Sequence, residues 1–344
     1  MSNSSAFPGP ATPRGPGHSE HPFWHGIPEL SSDLDRVRDA VLAEASSAGG
    51  AIGDALSRYA GRSGKLLRPG FVLIGSWAGT ARRRVPAPER LIRIAAAIET
   101  LHIATLIHDD VIDDADTRRG EPSLHALHGR KRAVLMGDYL LSRCFAMIAD
   151  GTSRKNALGL AAATGHLVRG EINQMEDASS GHFSRRAYLR RITGKTAMLF
   201  GLSLVTGAAE NKAPAREILL LQRIGYTVGM AFQIIDDMLD LTACRTTVGK
   251  PVASDLRSGI YTLPVIEAVL HDPGLRELVL PPPATPAGLD AAITAVTRAG
   301  GVSRAGRLAA AYTARARLAI QRLADPRQRE ALALVADRLL SREY

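Results

Sequence analysis

The chain has 344 residues, of which 45% are hydrophobic and 22% charged, and its formal net charge is +9. A positive net charge suggests nucleic acid or a membrane surface as a possible partner. The positive charge comes almost entirely from arginines scattered along the chain, without interleaved aromatic residues and with no basic run longer than three residues. This scatter argues against nucleic-acid binding.

Cysteine content and the N-terminal composition bear on location. Cys144 and Cys244 lie far apart and suggest neither a disulfide framework nor a metal site, so we expect a cytoplasmic protein. Residues 1–27 are rich in proline, glycine and serine and lack the basic start and apolar core of a signal peptide, so we expect a disordered tail. No apolar run approaches the roughly 20 residues of a membrane span, and we expect none.

Helical periodicity dominates the rest of the chain. Apolar residues recur at spacings of three and four, and strand-like alternation is nearly absent. Breaks fall at 61–70, 82–89, 118–123, 178–182, 209–214, 248–259 and 280–288. Asp325 and Pro326 are suited to the N-cap and first position of a terminal helix. We predict one all-α domain over residues 28–344, built as a large helical bundle.

The first unusual motif is the acidic stretch HDDVIDD, residues 108–114. On a helix that begins near Glu89, one face passes from apolar through small residues to Asp109 and Asp113. Two carboxylates at this spacing repel each other, and a divalent cation such as magnesium would remove the repulsion. A solvated acidic helix end is an alternative, and a histidine-aspartate metallohydrolase is another, because His102 lies six positions before the motif.

A second DDxxD motif follows 127 residues later in FQIIDDMLDLT, residues 232–242. Its first and last aspartates, Asp236 and Asp240, share a helical face with Gly225 and Gly229. Glycine costs about 1 kcal/mol relative to alanine inside a helix. Either close helix packing or an open space beneath the aspartates explains these glycines. Two facing motifs would form a carboxylate cage for several magnesium ions, which usually carry phosphate.

Lysines occur where such a phosphate would need them. Only six are present, and three stand in Gly-Lys pairs within breaks or near helix ends, at Lys65, Lys195 and Lys250. Arg118 and Arg119 directly follow the first motif. In a chain that otherwise uses arginine, this placement indicates compact charges that meet phosphate, with a solvated surface as the alternative.

Taken in order, these motifs resemble the trans-polyprenyl diphosphate synthases. The resemblance spans roughly residues 60–265 and is carried by GKLLRP, LIHDDVIDDADTRRGEPSLH, GDYLL, GEINQ, GKTA, FQIIDDMLD and GKPVASDLRSGIYTLP. It implies a bundle around a deep central cavity, a homodimer, and three Mg²⁺ ions. It also implies head-to-tail condensation of isopentenyl diphosphate with an allylic diphosphate.

By position, the resemblance implies that Asp109, Asp113, Asp236 and Asp240 bind metal. Asp109, Asp113, Asp236 and Lys195 would be the catalytic residues. Substrate would be bound on the allylic side by Arg118, Lys195, Thr196, Gln233 and Lys250, and on the isopentenyl side by Lys65, Arg68, His102 and Arg119. Leu66 and Ile260 depart from the family pattern, which has basic residues at both positions.

Product length is the remaining expectation from the resemblance. In the family, bulky aromatic residues at the positions of Ala104 and Thr105 close the cavity; both are small here, so we expect a product of at least thirty carbons. Ile98 and Met147 are candidates for a deeper floor. The alternatives are a geranylgeranyl or farnesyl diphosphate synthase, a non-catalytic partner subunit and a class I terpene cyclase. Intact aspartates argue against the partner subunit, and a second diphosphate site argues against the cyclase.

Overall fold

The computed structural model describes residues 21–62, 64–78, 86–181, 183–242 and 253–340. Within these ranges the chain is helical almost throughout, which confirms the predicted all-α class. The only strands there are β1 (Thr117–Arg118) and β2 (Glu121–Pro122), which pair antiparallel. They form the short turn that carries Arg118 and Arg119.

Sixteen α-helices build the bundle. In chain order they are α1 (Ser31–Ser46), α2 (Gly50–Gly61), α3 (Leu67–Gly75), α4 (Glu89–Ile112), α5 (Leu124–His128), α6 (Arg130–Gly151), α7 (Arg154–Ser180), α8 (Arg185–Ile192), α9 (Met198–Glu210), α10 (Ala215–Thr242), α11 (Ser254–Arg257), α12 (Leu263–His271), α13 (Arg276–Val279), α14 (Pro286–Arg298), α15 (Gly301–Ile320) and α16 (Pro326–Leu340) within the described ranges. Short 3₁₀ turns lie at Pro22–Trp24, Pro28–Leu30, Ser76–Ala78 and Pro273–Leu275, and a π-helical turn, Thr193–Ala197, joins α8 to α9.

Helix starts follow the capping chemistry of the sequence. The Asp325 carboxylate accepts a hydrogen bond from the backbone N–H of Arg327 at 2.8 Å, with Pro326 at the first helical position. This confirms the predicted start of the last helix. The Ser153 hydroxyl likewise accepts from the N–H of Asn156 at the start of α7. Both caps satisfy donors that a helix leaves unpaired in its first turn.

The core lies around two long helices that carry the acidic motifs. Helix α4 starts at Glu89 as predicted and packs against α1, α3 and α6, with most of its residues buried. Helix α10 packs against α9 and α15. An alanine- and leucine-rich sequence suits this arrangement, because small side chains let neighbouring helices cover α4 on several sides.

The two glycines of α10 serve close helix packing. A Cβ on Gly225 would lie 2.5 Å from the Cα of Gly201, and one on Gly229 would lie 2.6 Å from the Cα of Ala197. Backbone atoms cannot give way at such distances. Of the two explanations that the sequence left open, the structure therefore supports close packing rather than open space.

The predicted tail boundary at residue 27 is wrong for residues 21–27. Trp24 and Ile27 are 1% and 4% exposed and belong to the main hydrophobic core. Composition misled here because proline and glycine flank the apolar residues Phe23 and Trp24, and proline starts the 3₁₀ turn rather than preventing order. Residues 1–20 lie outside the described ranges.

The expectation about apolar length was also wrong. Within the part of the chain that the structure describes, three helical stretches are long and apolar enough to cross a membrane by length and composition alone: Glu89–Ile112, Arg185–Glu210 and Ala215–Thr242. More than half of each apolar window is buried inside the bundle. The same stretches carry both acidic motifs and Lys195.

Candidate active site

The first acidic motif lies at the C-terminal end of α4. Asp109 lines a cavity of about 430 Å³, and Asp113 follows the last helical residue, with its N–H donating to the carbonyl of Asp109. Negative charge is unfavourable there, because the helix dipole places partial negative charge at the same end. Burial raises the pKa of Asp109 to about 7; Lys195 opposes the rise, and Glu171 and Asp113 add to it. The ionised pair therefore favours an added cation.

Asp110, the second aspartate of this motif, has a structural role that the sequence analysis did not assign. It is 1% exposed, accepts a hydrogen bond from the Tyr59 hydroxyl at 2.9 Å, and forms an ion pair with Arg118 Nε at 2.6 Å. Arg119, the next residue, has φ +55°, in the left-handed region, and Gly120 has φ +79°. Asp110 thus holds the tight turn that presents both arginines.

The second motif likewise has one aspartate that lines the cavity and one that is buried and hydrogen-bonded. Asp236 lines the cavity, whereas Asp237 is 6% exposed and accepts hydrogen bonds from the Tyr188 hydroxyl at 2.7 Å and from Gln233 Nε2 at 2.8 Å. Burial raises the pKa of Asp237 to about 6, against the opposing effect of these two donors. The Thr196 hydroxyl donates to Gln233 Oε1 at 2.6 Å. This network ties the motif to the π-helical turn.

Asp240 contacts a different element. Its carboxylate accepts from the Ser254 hydroxyl at 2.8 Å and from the backbone N–H groups of Ser254 and Asp255 at 3.3 Å. The start of α11 is thereby held against α10. Burial, with Asp240 and Asp237 nearby, raises the pKa of Asp255 to about 8. Among the described residues that line the cavity, Asp240 is not included.

Lys195 stands between the two motifs. It lines the cavity, and its Nζ lies 2.8 Å from Glu171 Oε1, a partner that the sequence analysis missed although it lies in the quoted GEINQ segment. Burial alone would lower its pKa, but Asp109 and Glu171 outweigh burial and raise it. Lys195 is therefore a protonated cation at neutral pH. Lys250, the other predicted cation on this side, lies outside the described residues.

The predicted isopentenyl-side residues come together at the same cavity. Lys65, Arg68, His102 and Arg119 all line it, together with buried Glu99. Burial and the neighbouring guanidinium groups of Arg68, Arg119 and Arg118 lower the pKa of His102 well below its usual value. Burial lowers the pKa of Arg68 to about 10, against the attraction of Glu99, so Arg68 stays charged. The region is strongly positive and suits an anion.

Leu66 and Ile260, the two departures from the family pattern, lie in different environments. Leu66 is 3% exposed and part of the hydrophobic core, with φ +48°. Ile260 is half-buried, and its N–H donates to the carbonyl of Asp255. At Leu66 the apolar residue therefore fits its surroundings.

Part of the cavity wall is apolar. This apolar wall is formed by Leu106, Leu167, Leu199, Phe200 and Phe232. Thr105 is part of this wall, with its hydroxyl bonded to the carbonyl of His102 within its own helix. The other three length candidates, Ala104, Ile98 and Met147, are at most 2% exposed, and none is among the described residues that line the cavity.

The acidic side chains of this cavity can bind a divalent cation if a phosphate-bearing substrate supplies further oxygen ligands. In the described part of the chain, no three His, Cys, Asp or Glu side chains converge closely enough to hold a metal ion by themselves. Magnesium is commonly held by one or two carboxylates plus substrate phosphates. Asp109 and Asp236, on the same cavity as several cations, match that mode of binding.

Comparison with known proteins identifies the family of this chain. The sequence model described as polyprenyl synthetase matches residues 51–288. The chain belongs to the polyprenyl synthetase family. It is 37% identical over 286 residues to heptaprenyl diphosphate synthase component 2 of Geobacillus stearothermophilus, covering 82% of this chain and 87% of that protein.

Solved structures agree with this family membership. The geranylgeranyl pyrophosphate synthase of Lactobacillus brevis matches with a TM-score of 0.85 and 33% identity, over 94% of this chain and 100% of that chain. A polyprenyl synthase of Caulobacter crescentus, solved with calcium and isoprenyl diphosphate, matches with a TM-score of 0.84 and 28% identity, over 96% of this chain and 100% of that chain. The metallohydrolase alternative is thereby excluded.

The role of Asp110 in this polyprenyl synthetase family member can be tested through its partner. Tyr59→Phe removes the hydroxyl that donates to the Asp110 carboxylate, and hydrogen bonds to charged groups contribute about 1.5–3 kcal/mol. We expect the free energy of unfolding to fall by about that amount in urea titrations.

Tyr139→Phe is the matched control, because the Tyr139 hydroxyl forms an exposed hydrogen bond with the hydroxyl of Ser47, at 2.7 Å. Its effect should stay within about 0.5 kcal/mol. Equal losses in the two variants would contradict the special role of the Tyr59–Asp110 bond.

Proposed function

We propose that the protein is a magnesium-dependent prenyltransferase that condenses isopentenyl diphosphate with an allylic diphosphate, head to tail, into an all-trans polyprenyl diphosphate of at least thirty carbons. One observation carries the proposal. A single cavity is lined by Asp109 and Asp236 from two helices, by the cations Lys195, Lys65, Arg68 and Arg119, and by apolar side chains. An allylic diphosphate likewise has a charged diphosphate group and an apolar isoprenoid chain.

Each group of side chains has a part in binding. Asp109, Asp113, Asp236 and Asp240 would hold magnesium ions, three in number by the family resemblance. Bound magnesium supplies Lewis-acid neutralisation of the leaving diphosphate. Lys195 and Arg118 bind the allylic diphosphate, with Thr196 and Gln233 beside them. Lys65, Arg68, His102 and Arg119 bind the isopentenyl diphosphate.

The reaction breaks the allylic C–O bond and forms a C–C bond to the double bond of isopentenyl diphosphate. Lys195 and Arg118 stabilise the charge that develops on the departing diphosphate, since fixed cations in a water-poor site cost little reorganisation. The apolar wall excludes water from the allylic cation. The departing diphosphate accepts the proton that is then lost, since its oxygens remain beside the new bond and carry the charge released by C–O cleavage.

Several features support a long product. Thr105, a small residue, lines the cavity four residues before Asp109, where the family resemblance places a bulky aromatic residue in short-product members. The Geobacillus relative is a heptaprenyl synthase by name, whereas the structural neighbour from Lactobacillus is a geranylgeranyl synthase, which makes a twenty-carbon product the runner-up. We propose that the present chain follows the former.

Incubation with labelled isopentenyl diphosphate, magnesium and primers of ten, fifteen or twenty carbons tests the reaction. We expect a polyprenyl diphosphate that is lost when magnesium is chelated. Asp109→Ala and Asp236→Ala should each lower turnover by at least about a hundredfold, because they remove carboxylates that would hold magnesium at the reacting diphosphate.

Asp54→Ala, at an exposed position of α2, is the control and should keep wild-type turnover. All variants should retain the wild-type circular dichroism spectrum. Near-normal turnover of either motif variant would contradict the assignment of the acidic motifs.

Product length is tested by Thr105→Phe. A phenyl ring at this position would project into the cavity about 6 Å below Asp109, since four residues of helix rise that far. We expect the main product to shorten to twenty carbons or fewer while turnover persists, measured by chromatography of the dephosphorylated products.

Thr294→Phe is the control, because Thr294 is an exposed helical threonine with the same hydroxyl-to-carbonyl bond, to Asp290. Its product should match that of the wild type. A wild-type product of twenty carbons, or an unchanged product from Thr105→Phe, would overturn the proposed length.

We also propose a homodimer. Large apolar side chains are exposed on α6 and α7, which follow each other in the chain, with exposures of 66% at Leu135, 57% at Leu158 and 59% at Met175. Val168 and Ile172 extend this surface on α7. Such an accumulation on two helices is typical of a protein interface. Sedimentation equilibrium should give twice the chain mass, and a monomer at micromolar concentration would refute the proposal.

The proposed compartment is the cytoplasm. Support comes from the low cysteine content and from Cys144, a buried thiol whose pKa burial raises to about 12. Immunodetection in cell fractions tests this location, and recovery of the protein outside the cytoplasmic fraction would contradict it.

A further inference from the structure

The segment Pro22–Trp24 touches the loop that carries Lys65. We propose that Phe23 and Trp24 are positioning residues that hold Lys65 where isopentenyl diphosphate binds. This inference rests on the function proposed above. It concerns residues that the sequence assigned to a disordered tail and that lie about forty positions before the loop.

Trp24 makes the central contact. Its side chain is 1% exposed, and its indole N–H donates to the carbonyl oxygen of Lys65 at 2.6 Å. A buried indole N–H needs an acceptor, and this carbonyl supplies it. The bond fixes the backbone of Lys65 directly, which sets the direction in which its side chain leaves.

The backbone after Lys65 needs such support. Leu66 has φ +48°, a left-handed conformation that is unfavourable for a leucine and persists only where the surroundings impose it. The Leu66 side chain is buried in the core on one side of the loop, and the Trp24 bond holds the preceding carbonyl. Together they fix the turn between Lys65 and α3.

Trp24 also lies on the first turn of α3, next to Arg68. A Cβ on Gly70 would lie only 2.1 Å from two ring carbons of Trp24, so the indole packs directly on the Gly70 backbone. The same ring therefore contacts the loop of Lys65 and the helix of Arg68. Two of the cations assigned to one diphosphate share a single support.

Phe23 acts on the charged end of Lys65. The Lys65 ammonium lies 5.3 Å from the centroid of the Phe23 ring, a cation–π distance, and the Phe23 ring meets Trp24 edge to face at 5.2 Å. The Phe23 carbonyl accepts a hydrogen bond from Arg338 of α16. The segment is thus anchored to the C-terminal helix while it contacts the loop.

The opposite side of the loop is closed by Arg119. Its guanidinium donates to the Arg62 carbonyl, and a Cβ on Gly64 would lie 2.8 Å from one of its nitrogens. Lys65 therefore stands between an aromatic support and a cation of the same site. Weakening the contacts of Phe23 and Trp24 should therefore weaken binding of isopentenyl diphosphate. Binding of the allylic diphosphate, which is assigned to Lys195 and Arg118, should not change.

Two substitutions separate the contacts. Trp24→Phe keeps an aromatic ring but removes the donor, and Phe23→Leu keeps apolar bulk but removes the cation–π contact. From the usual contributions of these interactions we expect the KM for isopentenyl diphosphate to rise roughly three- to tenfold in Trp24→Phe and about two- to fivefold in Phe23→Leu. The KM for the allylic primer should change less than about twofold in both. Phe23→Tyr, which retains the ring, should restore the wild-type value.

The control is Val37→Ala, a core substitution in α1 at a residue that is fully buried. It should lower stability without separating the two KM values. An unchanged KM for isopentenyl diphosphate in Trp24→Phe would overturn the inference. An equal rise of both KM values would also overturn it, since general destabilisation produces that result.

Hydrogen exchange provides a readout that does not depend on activity. In Trp24→Phe the amides of residues 64–70 should exchange faster than in the wild type, while those of α10 stay protected. Unchanged exchange would refute the positioning role. If the wild-type protein failed to elongate any primer, the proposed function would fall, and the exchange result alone would decide whether Trp24 holds the loop.

Discussion

The site depends on two buried carboxylates that face away from the cavity. Asp110 and Asp237 each follow a cavity-lining aspartate directly, and each is held by a tyrosine hydroxyl. Leaving such a buried carboxylate without a hydrogen-bond partner costs about 1–3 kcal/mol or more, because its lost hydration is then uncompensated. This penalty fixes the rotation of both helix ends. The neighbouring aspartates are thereby directed to the cavity.

The same buried groups place the cations. Asp110 pairs with Arg118 in the turn after α4, and Asp237 binds Gln233, which binds Thr196 beside Lys195. Cations and carboxylates that would meet the same diphosphate are therefore positioned from a common framework. Close contact of α10 with α9, through Gly225 and Gly229, brings the π-helical turn within reach of that framework. Helix packing and site geometry thus have one physical basis.

Local patterns were predictable from the sequence, and distant contacts were not. The acidic helices, the cap at Asp325 and the cations of the cavity follow from periodicity and motif order. Helical face and motif position distinguished Asp109 and Asp236 from their neighbours, but the tyrosines that hold Asp110 and Asp237 lie about fifty positions away and could not be paired with them from sequence. Trp24 was missed because its acceptor is the backbone of Lys65, and a backbone acceptor has no sequence signature. The glycines of α10 stayed ambiguous because close packing and open space favour the same residue.

Phe200 connects the two ends of the cavity. Its ring centroid lies 5.3 Å from the Arg68 guanidinium carbon, 5.2 Å from the ring of Phe71 and 5.6 Å from that of Phe232. In the proposed reaction, a ring that would lie against the growing chain therefore also supports Arg68, a cation assigned to the diphosphate. Changing Phe200 would alter chain length and substrate binding together. Thr105 lines the same wall with its hydroxyl bonded inside its own helix, so in the proposed reaction it is the position where a substitution would change product length separately from diphosphate binding.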